Sequence, residues 1–120
     1  MGGEPDYTLG CRLPVEEWAA LNNPRMWKEP ELGRFVAPIP PQALMRATTG
    51  VAGEREFTHH GATLWRALSA ASPIPLAQYD SVLDFGCGCG RLARMFKGFP
   101  GRLAGCDIDP RVVAWCREAL

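Results

Sequence analysis

The sequence lacks an excess of charge of either sign, which narrows the classes of partner. Its 120 residues include 13 basic and 13 acidic side chains, so the formal net charge at pH 7 is zero. Domains that bind nucleic acid or anionic membrane surfaces carry a surplus of lysine and arginine. We therefore expect neither a nucleic-acid partner nor a membrane surface.

Long hydrophobic runs and a regular cysteine pattern are also missing. No stretch approaches the roughly 18 apolar residues of a membrane-spanning helix, and residues 1–10 lack the basic start and apolar core of a secretory signal. The five cysteines are odd in number and irregular in spacing: Cys11, Cys87, Cys89, Cys106 and Cys116. These absences predict a reducing, cytoplasmic location, with the cysteines as small buried hydrophobes rather than metal ligands or disulfides.

The first part of the chain is rich in proline. Most of the eleven prolines fall before residue 52, and proline prevents such a stretch from forming one long element. We expect two short helices, over residues 15–21 and 41–48, joined by extended or turn backbone. The large side chains of Trp18, Trp27 and Phe35 predict that residues 1–52 pack on the rest of the chain as an arm or cap.

The hydrophobic pattern of the chain changes at Glu54. Apolar residues at helical spacing predict a helix that the Ser72-Pro73 pair ends, and residues 81–85 predict a short buried strand. Residues 91–99 predict a helix whose polar face carries Arg91, Arg94 and Lys97. A second strand is expected over residues 103–107, followed by a helix.

The start of that last helix has a clear signal. Asp109 followed by Pro110 is typical of an N-cap and a first helical position. The order from residue 81 is therefore strand, glycine loop, helix, strand, helix. This order is typical of a parallel βαβ unit in a nucleotide-binding α/β sheet.

A glycine loop and two acids carry the chemistry. Glycines alternate directly after the first strand, where the chain must turn sharply and a ligand can approach the backbone closely. A following helix would present unpaired N–H groups toward a polar or anionic ligand. Asp84 lies at the tip of the first strand. Asp107 ends the second, where a carboxylate can accept hydrogen bonds from the hydroxyls of a ribose.

Two segments resemble the start of a class I S-adenosylmethionine-dependent methyltransferase. The first is Val-Leu-Asp-Phe-Gly-Cys-Gly-Cys-Gly at residues 82–90, and the second is Gly-Cys-Asp-Ile-Asp-Pro at residues 105–110. They correspond in order and spacing to that family's acidic-x-Gly-x-Gly-x-Gly motif and to the segment that contains its ribose-binding acid. The resemblance implies S-adenosylmethionine as the cofactor.

The resemblance also implies roles for individual residues. Asp84 would face the methionine part of the cofactor, Asp107 would hold the ribose, and Ile108 would flank the adenine. The loop positions beside the cofactor would be Gly86, Cys87, Gly88 and Gly90. It implies no metal ligands, and it identifies no catalytic residue.

The resemblance covers about the last third of the chain, with a looser likeness over residues 35–61 to the lead-in of one subgroup. It implies an α/β fold: the start of a Rossmann-like methyltransferase sheet in β-α-β-α order over residues 53–120, after the proline-rich arm. The sheet would be incomplete, so its exposed edges favour self-association. The implied activity is methyl transfer to a small-molecule acceptor, with this chain supplying the first, cofactor-binding half.

Two other interpretations stay open. Gly88, Gly90 and Ala93 fit the Gly-x-Gly-x-x-Gly/Ala fingerprint of nicotinamide and flavin folds, with Asp107 or Asp109 as the ribose acid. Against that interpretation, a carboxylate at Asp84 would repel a pyrophosphate. The chain could also be a non-catalytic or truncated fragment that binds a nucleoside cofactor.

Some conspicuous side chains receive structural interpretations. His59 and His60 are adjacent on a predicted helix, so they point about 100° apart and do not converge on one site. We expect them on a solvated face. Trp65 and Trp115 are expected in the core rather than stacked on a cofactor.

Overall fold

The structure is a computed structural model, and it describes residues 36–51, 53–97 and 99–120. Its elements, in chain order, are the helices α1 (Gln42–Thr49) and α2 (Glu54–Ala71), a 3₁₀ turn (Leu76–Gln78), the strand β1 (Ser81–Phe85), a second 3₁₀ turn (Ala93–Phe96), the strand β2 (Arg102–Cys106) and the helix α3 (Pro110–Ala119). The helix predicted over residues 15–21, and with it Trp18, Trp27 and Phe35, lies outside the described residues. The division into an arm over residues 1–52 and a domain over residues 53–120 stays a prediction.

The helices follow their sequence signals closely. Pro41 precedes α1, and α1 ends at Gly50, whose left-handed φ of 73° lets its N–H donate to the carbonyl of Arg46. The α2 helix spans the predicted residues and ends at Ser72, before Pro73. Asp109 caps α3 by accepting a hydrogen bond from the N–H of Arg111, as its position before Pro110 predicts.

The two strands pair in parallel, as the βαβ pattern predicts. The register places Ser81 opposite Arg102 and Phe85 opposite Cys106. The strand β1 has the predicted bounds, whereas β2 begins and ends one residue earlier than the expected 103–107. Asp107 lies just beyond the ladder, where its side chain accepts hydrogen bonds from the backbone N–H groups of Gly88 and Asp109.

The helix predicted over residues 91–99 is wrong. The chain makes turns through Leu92 and then a 3₁₀ turn over Ala93–Phe96, with hydrogen bonds from Met95 to Leu92 and from Lys97 to Arg94. Pro100 disfavours helical backbone at Phe99, so a helix here has little room at its C-terminal end. The Arg94 side chain also turns inward, which a solvated helix face would not allow.

Two apolar clusters form the core on one side of the sheet. The first contains Val36, Ala62, Trp65, Leu76, Met95 and Phe96, and the second contains Ile39, Met45, Phe57, Cys89 and Val112. Trp65 is fully buried, as predicted, and its ring meets that of Phe96 edge to face with centroids 4.5 Å apart. Trp115 packs against the second cluster. Both clusters include residues from 36–45, so that segment is part of the core.

The opposite side of the sheet is open in the described part of the chain. Along β1, Val82 and Asp84 are half-buried, whereas Leu83 is 62% exposed and Phe85 is 86% exposed. Every residue of β2 is exposed. None of the helices in the described ranges is long and apolar enough to cross a membrane.

Candidate functional site

Two carboxylates lie at the same end of neighbouring strands. Because β1 and β2 are parallel and Asp84 pairs with Gly105, Asp84 and Asp107 both lie where the strands reach their carboxyl ends. Asp107 Oδ2 accepts a hydrogen bond from the N–H of Gly88 at 2.9 Å, and Oδ1 accepts one from Asp109 at 2.9 Å. These bonds fix the orientation of Asp107 and tie the glycine loop to the end of β2.

Asp84 has an oxygen that nothing in the described residues satisfies. Its Oδ2 atom is buried and has no hydrogen-bond partner there. Burial raises the pKa of Asp84, the charge of Asp107 raises that pKa further, and Arg91 opposes the shift. A buried acceptor without a donor costs free energy. The position therefore suits a ligand that brings a donor, best a positively charged one.

The three loop glycines all have positive φ, for different reasons. Gly86 has a φ of 76°, and a Cβ there would meet nothing within 4 Å, so its surroundings are open. A Cβ on Gly88 would lie 3.3 Å from the Cβ of Thr48, and a Cβ on Gly90 would lie 2.5 Å from Leu120. Gly86 therefore leaves space for a ligand, whereas the other two permit close packing within the protein.

Four of the loop's N–H groups donate to acceptors inside the protein, contrary to the expectation from sequence. Gly86 and Cys87 both donate to the carbonyl of Cys106, at 2.8 and 3.0 Å, Gly88 donates to Asp107, and Gly90 donates to the carbonyl of Cys87. The loop also leads into a 3₁₀ turn rather than an α-helix. It therefore lacks the α-helix N-terminus that binds a phosphate, and these four amides are already paired.

The Cys87 side chain is part of the packing beneath the loop. Cys87 is buried, and a Cβ on Gly105 would lie 3.1 Å from its sulfur. The thiols of Cys87 and Cys116 both lie near the carbonyl of Gly88, at 3.5 and 3.3 Å, beside a cavity of about 380 Å³ between β2 and α3. Burial raises the pKa of both thiols, that of Cys116 to about 12. Both are therefore protonated at neutral pH.

One further residue lies at the outer side of the site. Ile108, directly after Asp107, is fully exposed. Its apolar surface is therefore exposed next to Asp107, for which the sequence predicts ribose binding. Across the described ranges, no three His, Cys, Asp or Glu side chains are grouped so that they could hold a metal ion.

The assignment of Arg94 to a polar helix face is wrong. Arg94 is only 2% exposed, and its guanidinium donates to the carbonyls of Ala37 at 2.6 Å and Pro38 at 3.2 Å. It also lies 5.7 Å from the ring centroid of Phe57. Burial lowers its pKa to about 10, so it stays charged at neutral pH. No sequence signal separates Arg94 from Arg91 and Lys97, since all three follow the same spacing.

The sequence interpretation also missed Thr48, whose hydroxyl lies 3.2 Å from the thiol of Cys89 in the loop. His59 and His60 are exposed, as predicted, and their ring centroids are 6.5 Å apart.

No protein-family model matches the chain. No solved structure matches it either.

Proposed function

We propose that this chain binds S-adenosylmethionine and belongs to an enzyme that transfers its methyl group to a small-molecule acceptor. The observation that carries the proposal is the unsatisfied Oδ2 atom of Asp84, which is buried at the carboxyl end of β1. Gly86, whose surroundings are open, follows two residues later. The resemblance of residues 82–90 and 105–110 to class I methyltransferases supports it, as does the parallel order of the two strands.

The residues present fit the chemical groups of this cofactor. The Asp84 carboxylate would accept a hydrogen bond from the cofactor's ammonium group, which supplies the missing donor and a compensating charge. Asp107 keeps acceptor capacity on both oxygens, since each carboxylate oxygen can accept more than the one bond that the protein provides. Ile108 offers an exposed apolar surface for the adenine. When bound, the cofactor supplies an electrophilic methyl group on sulfur.

A dinucleotide fits the same residues less well. A pyrophosphate requires free N–H groups, but those of Gly86, Cys87, Gly88 and Gly90 already donate to protein acceptors. The carboxylate of Asp84 would also repel it. The loop chemistry therefore favours a ligand whose polar end is cationic or zwitterionic over one that is purely anionic.

The first test is a calorimetric titration of S-adenosylhomocysteine, the demethylated product, into the purified chain. We expect saturable binding, no heat with NADH, and loss of binding in Asp107→Ala. Asp84→Asn should weaken binding about 10- to 100-fold, because one charge-assisted hydrogen bond contributes roughly 1.5–3 kcal/mol. Asp80→Asn is the matched control, since Asp80 is an exposed acid that directly precedes the first residue of β1.

Two results would contradict the proposal. One is the absence of binding by a chain that melts cooperatively. The other is binding of NADH with an affinity similar to or greater than that for S-adenosylhomocysteine, which would support the dinucleotide interpretation. If the Asp84→Asn and Asp80→Asn variants bind S-adenosylhomocysteine with equal affinity, Asp84 does not contact the ligand.

A further inference from the structure

The end of α1 lies against the glycine loop. The Thr48 hydroxyl is 3.2 Å from the thiol of Cys89 and donates to the carbonyl of Leu44 at 2.9 Å. The Cβ of Thr48 lies 3.3 Å from the position that a Cβ on Gly88 would occupy. Thr48 therefore fills the space on one side of the Gly88–Cys89 peptide, and a larger residue at either position would push the loop away.

Arg94, which follows the glycine loop, makes a second contact with the segment over residues 36–50. The N–H of Arg94 donates to the carbonyl of Gly90 at 2.9 Å, so the backbone of Arg94 continues directly from the loop. Its guanidinium donates to the carbonyls of Ala37 and Pro38. Residues 36–50 thus contact the loop through Thr48 and contact the turn that follows it through Arg94.

The glycine content of the loop makes it costly to order. Its glycines Gly86, Gly88 and Gly90 all have positive φ, and glycine has more backbone freedom to lose than any other residue. A loop that is ordered only when a ligand arrives lowers the affinity by the cost of that ordering. Contacts that order it beforehand raise the affinity without touching the ligand.

We infer that residues 36–50 act as a brace that orders the glycine loop for its ligand, with Thr48 and Arg94 as positioning residues. This inference rests on the proposed function for its ligand, but the ordering of the loop is a property of the chain itself. The brace acts through packing at Gly88 and Cys89 and through the anchoring of Ala37 and Pro38. Loosening it should weaken binding while leaving Asp84 and Asp107 in place.

The test uses Thr48→Ala, with Thr49→Ala as the matched control. Both threonines are in the last turn of α1 and donate to a carbonyl four residues earlier. The Thr48 hydroxyl also contacts the thiol of Cys89 in the loop, whereas the Thr49 hydroxyl accepts the N–H of Val51 at 3.1 Å. Hydrogen exchange of the amides over residues 84–94, followed by mass spectrometry, reports loop order without any ligand. Calorimetry with S-adenosylhomocysteine reports affinity.

We expect Thr48→Ala to speed loop exchange several-fold and to weaken S-adenosylhomocysteine binding about three- to tenfold. Thr49→Ala should change neither, at a similar unfolding temperature, and Thr48→Ser should recover part of both effects by restoring the hydroxyl. Arg94→Lys should also speed loop exchange, but Thr48 is the decisive position because the loss of a buried guanidinium can unfold the chain.

The outcomes separate the two proposals. If Thr48→Ala and Thr49→Ala exchange their loop amides at the wild-type rate, the brace is overturned whether or not any ligand binds. If loop exchange rises in Thr48→Ala alone while the wild-type chain binds no S-adenosylhomocysteine, the brace stands and the cofactor assignment fails. If exchange rises but binding is unchanged, Thr48 orders the loop without positioning it for this ligand, and the inference is overturned.

Discussion

Asp84 is held where its charge is costly to the folded chain. Burial and the neighbouring Asp107 raise its pKa, with Arg91 opposing the shift, and its Oδ2 atom has no donor in the described residues. A residue that only stabilised the fold would be neutral or hydrogen-bonded in that position. The position is the kind of conflict between stability and local chemistry that binding sites contain.

Replacing Asp84 by Asn should therefore stabilise the chain at pH 7. The pKa of Asp84 is higher in the folded state than its ordinary 3.8, so the folded state binds the proton more tightly. The cost of the charged form is absent below pH 3.8, grows as the pH rises toward the raised pKa, and is fully present above it. Thermal unfolding of Asp84→Asn should occur above the wild-type temperature at pH 7, and the difference should shrink as the pH falls.

Asp80→Asn is the control for this comparison, since Asp80 is exposed. If the difference in unfolding temperature between Asp84→Asn and the wild type stays constant from neutral to acid pH, the raised pKa of Asp84 is contradicted. An unfolding temperature of Asp84→Asn below that of the wild type at pH 7 would show that the charged carboxylate does not destabilise the folded chain.

The sequence was informative about these acids and uninformative about Arg94. A carboxylate after an apolar strand and before alternating glycines can be placed at a strand end from the chain order alone. The burial of Arg94 depends instead on residues 37 and 38, far away in the chain, whose carbonyls need donors. The spacing of residues relates only positions on the same element. It therefore could not distinguish Arg94 from Arg91 and Lys97, which it places on the same polar face.

At the scale of elements, α2 and the turn after the glycine loop approach each other through Gly61. A Cβ on Gly61 would lie 2.5 Å from the carbonyl oxygen of Arg91, which is closer than real Cβ atoms come. Glycine inside a helix ordinarily lowers stability, so its presence in α2 needs a reason. The close approach of the Arg91 backbone provides it.

Gly61→Ala should consequently destabilise the chain by about 1–2 kcal/mol. At an unconstrained helix position the same change stabilises by about 0.5–1 kcal/mol, but here the overpacking cost of roughly 1–3 kcal/mol exceeds that gain. Urea denaturation followed by circular dichroism measures the difference. Ala67→Gly on the exposed side of α2 gives the propensity effect alone, and a Gly61→Ala variant more stable than the wild type would show that the two elements separate freely.

The elements themselves were predictable to different degrees. Helices α1, α2 and α3 and strand β1 carry local signals in their proline, glycine, N-cap and apolar positions, and the structure follows those signals. The segment over residues 91–99 carries a helical apolar pattern, yet it forms only a 3₁₀ turn. There the inward side chain of Arg94 and the proline at residue 100 override the periodicity.

At the scale of the whole molecule, the sheet is covered on one side only within the described residues. Parallel strands are usually buried on both faces, and an uncovered apolar face tends to associate. Leu83 and Phe85 project from the open side of β1, and Ile108 follows β2 on the same edge as the site. Self-association of the chain therefore stays a prediction, based on the open face of the two-stranded sheet.

The variant that tests it is the double replacement Leu83→Thr with Phe85→Thr. It places a residue of high strand propensity at both positions and removes the two large apolar side chains that β1 exposes. Burying a leucine or phenylalanine side chain contributes roughly 1.5–3 kcal/mol, and a symmetric pair of chains buries each of them twice. Sedimentation velocity across a concentration series should show association of the wild-type chain and an association constant at least tenfold lower, about 1.4 kcal/mol or more, for the double variant. Leu64→Gln, which removes an exposed leucine from α2 instead, should associate like the wild type. A wild-type chain that sediments as a monomer and melts sharply would mean that the open face is tolerated in water, since the packed side then supplies enough stability by itself.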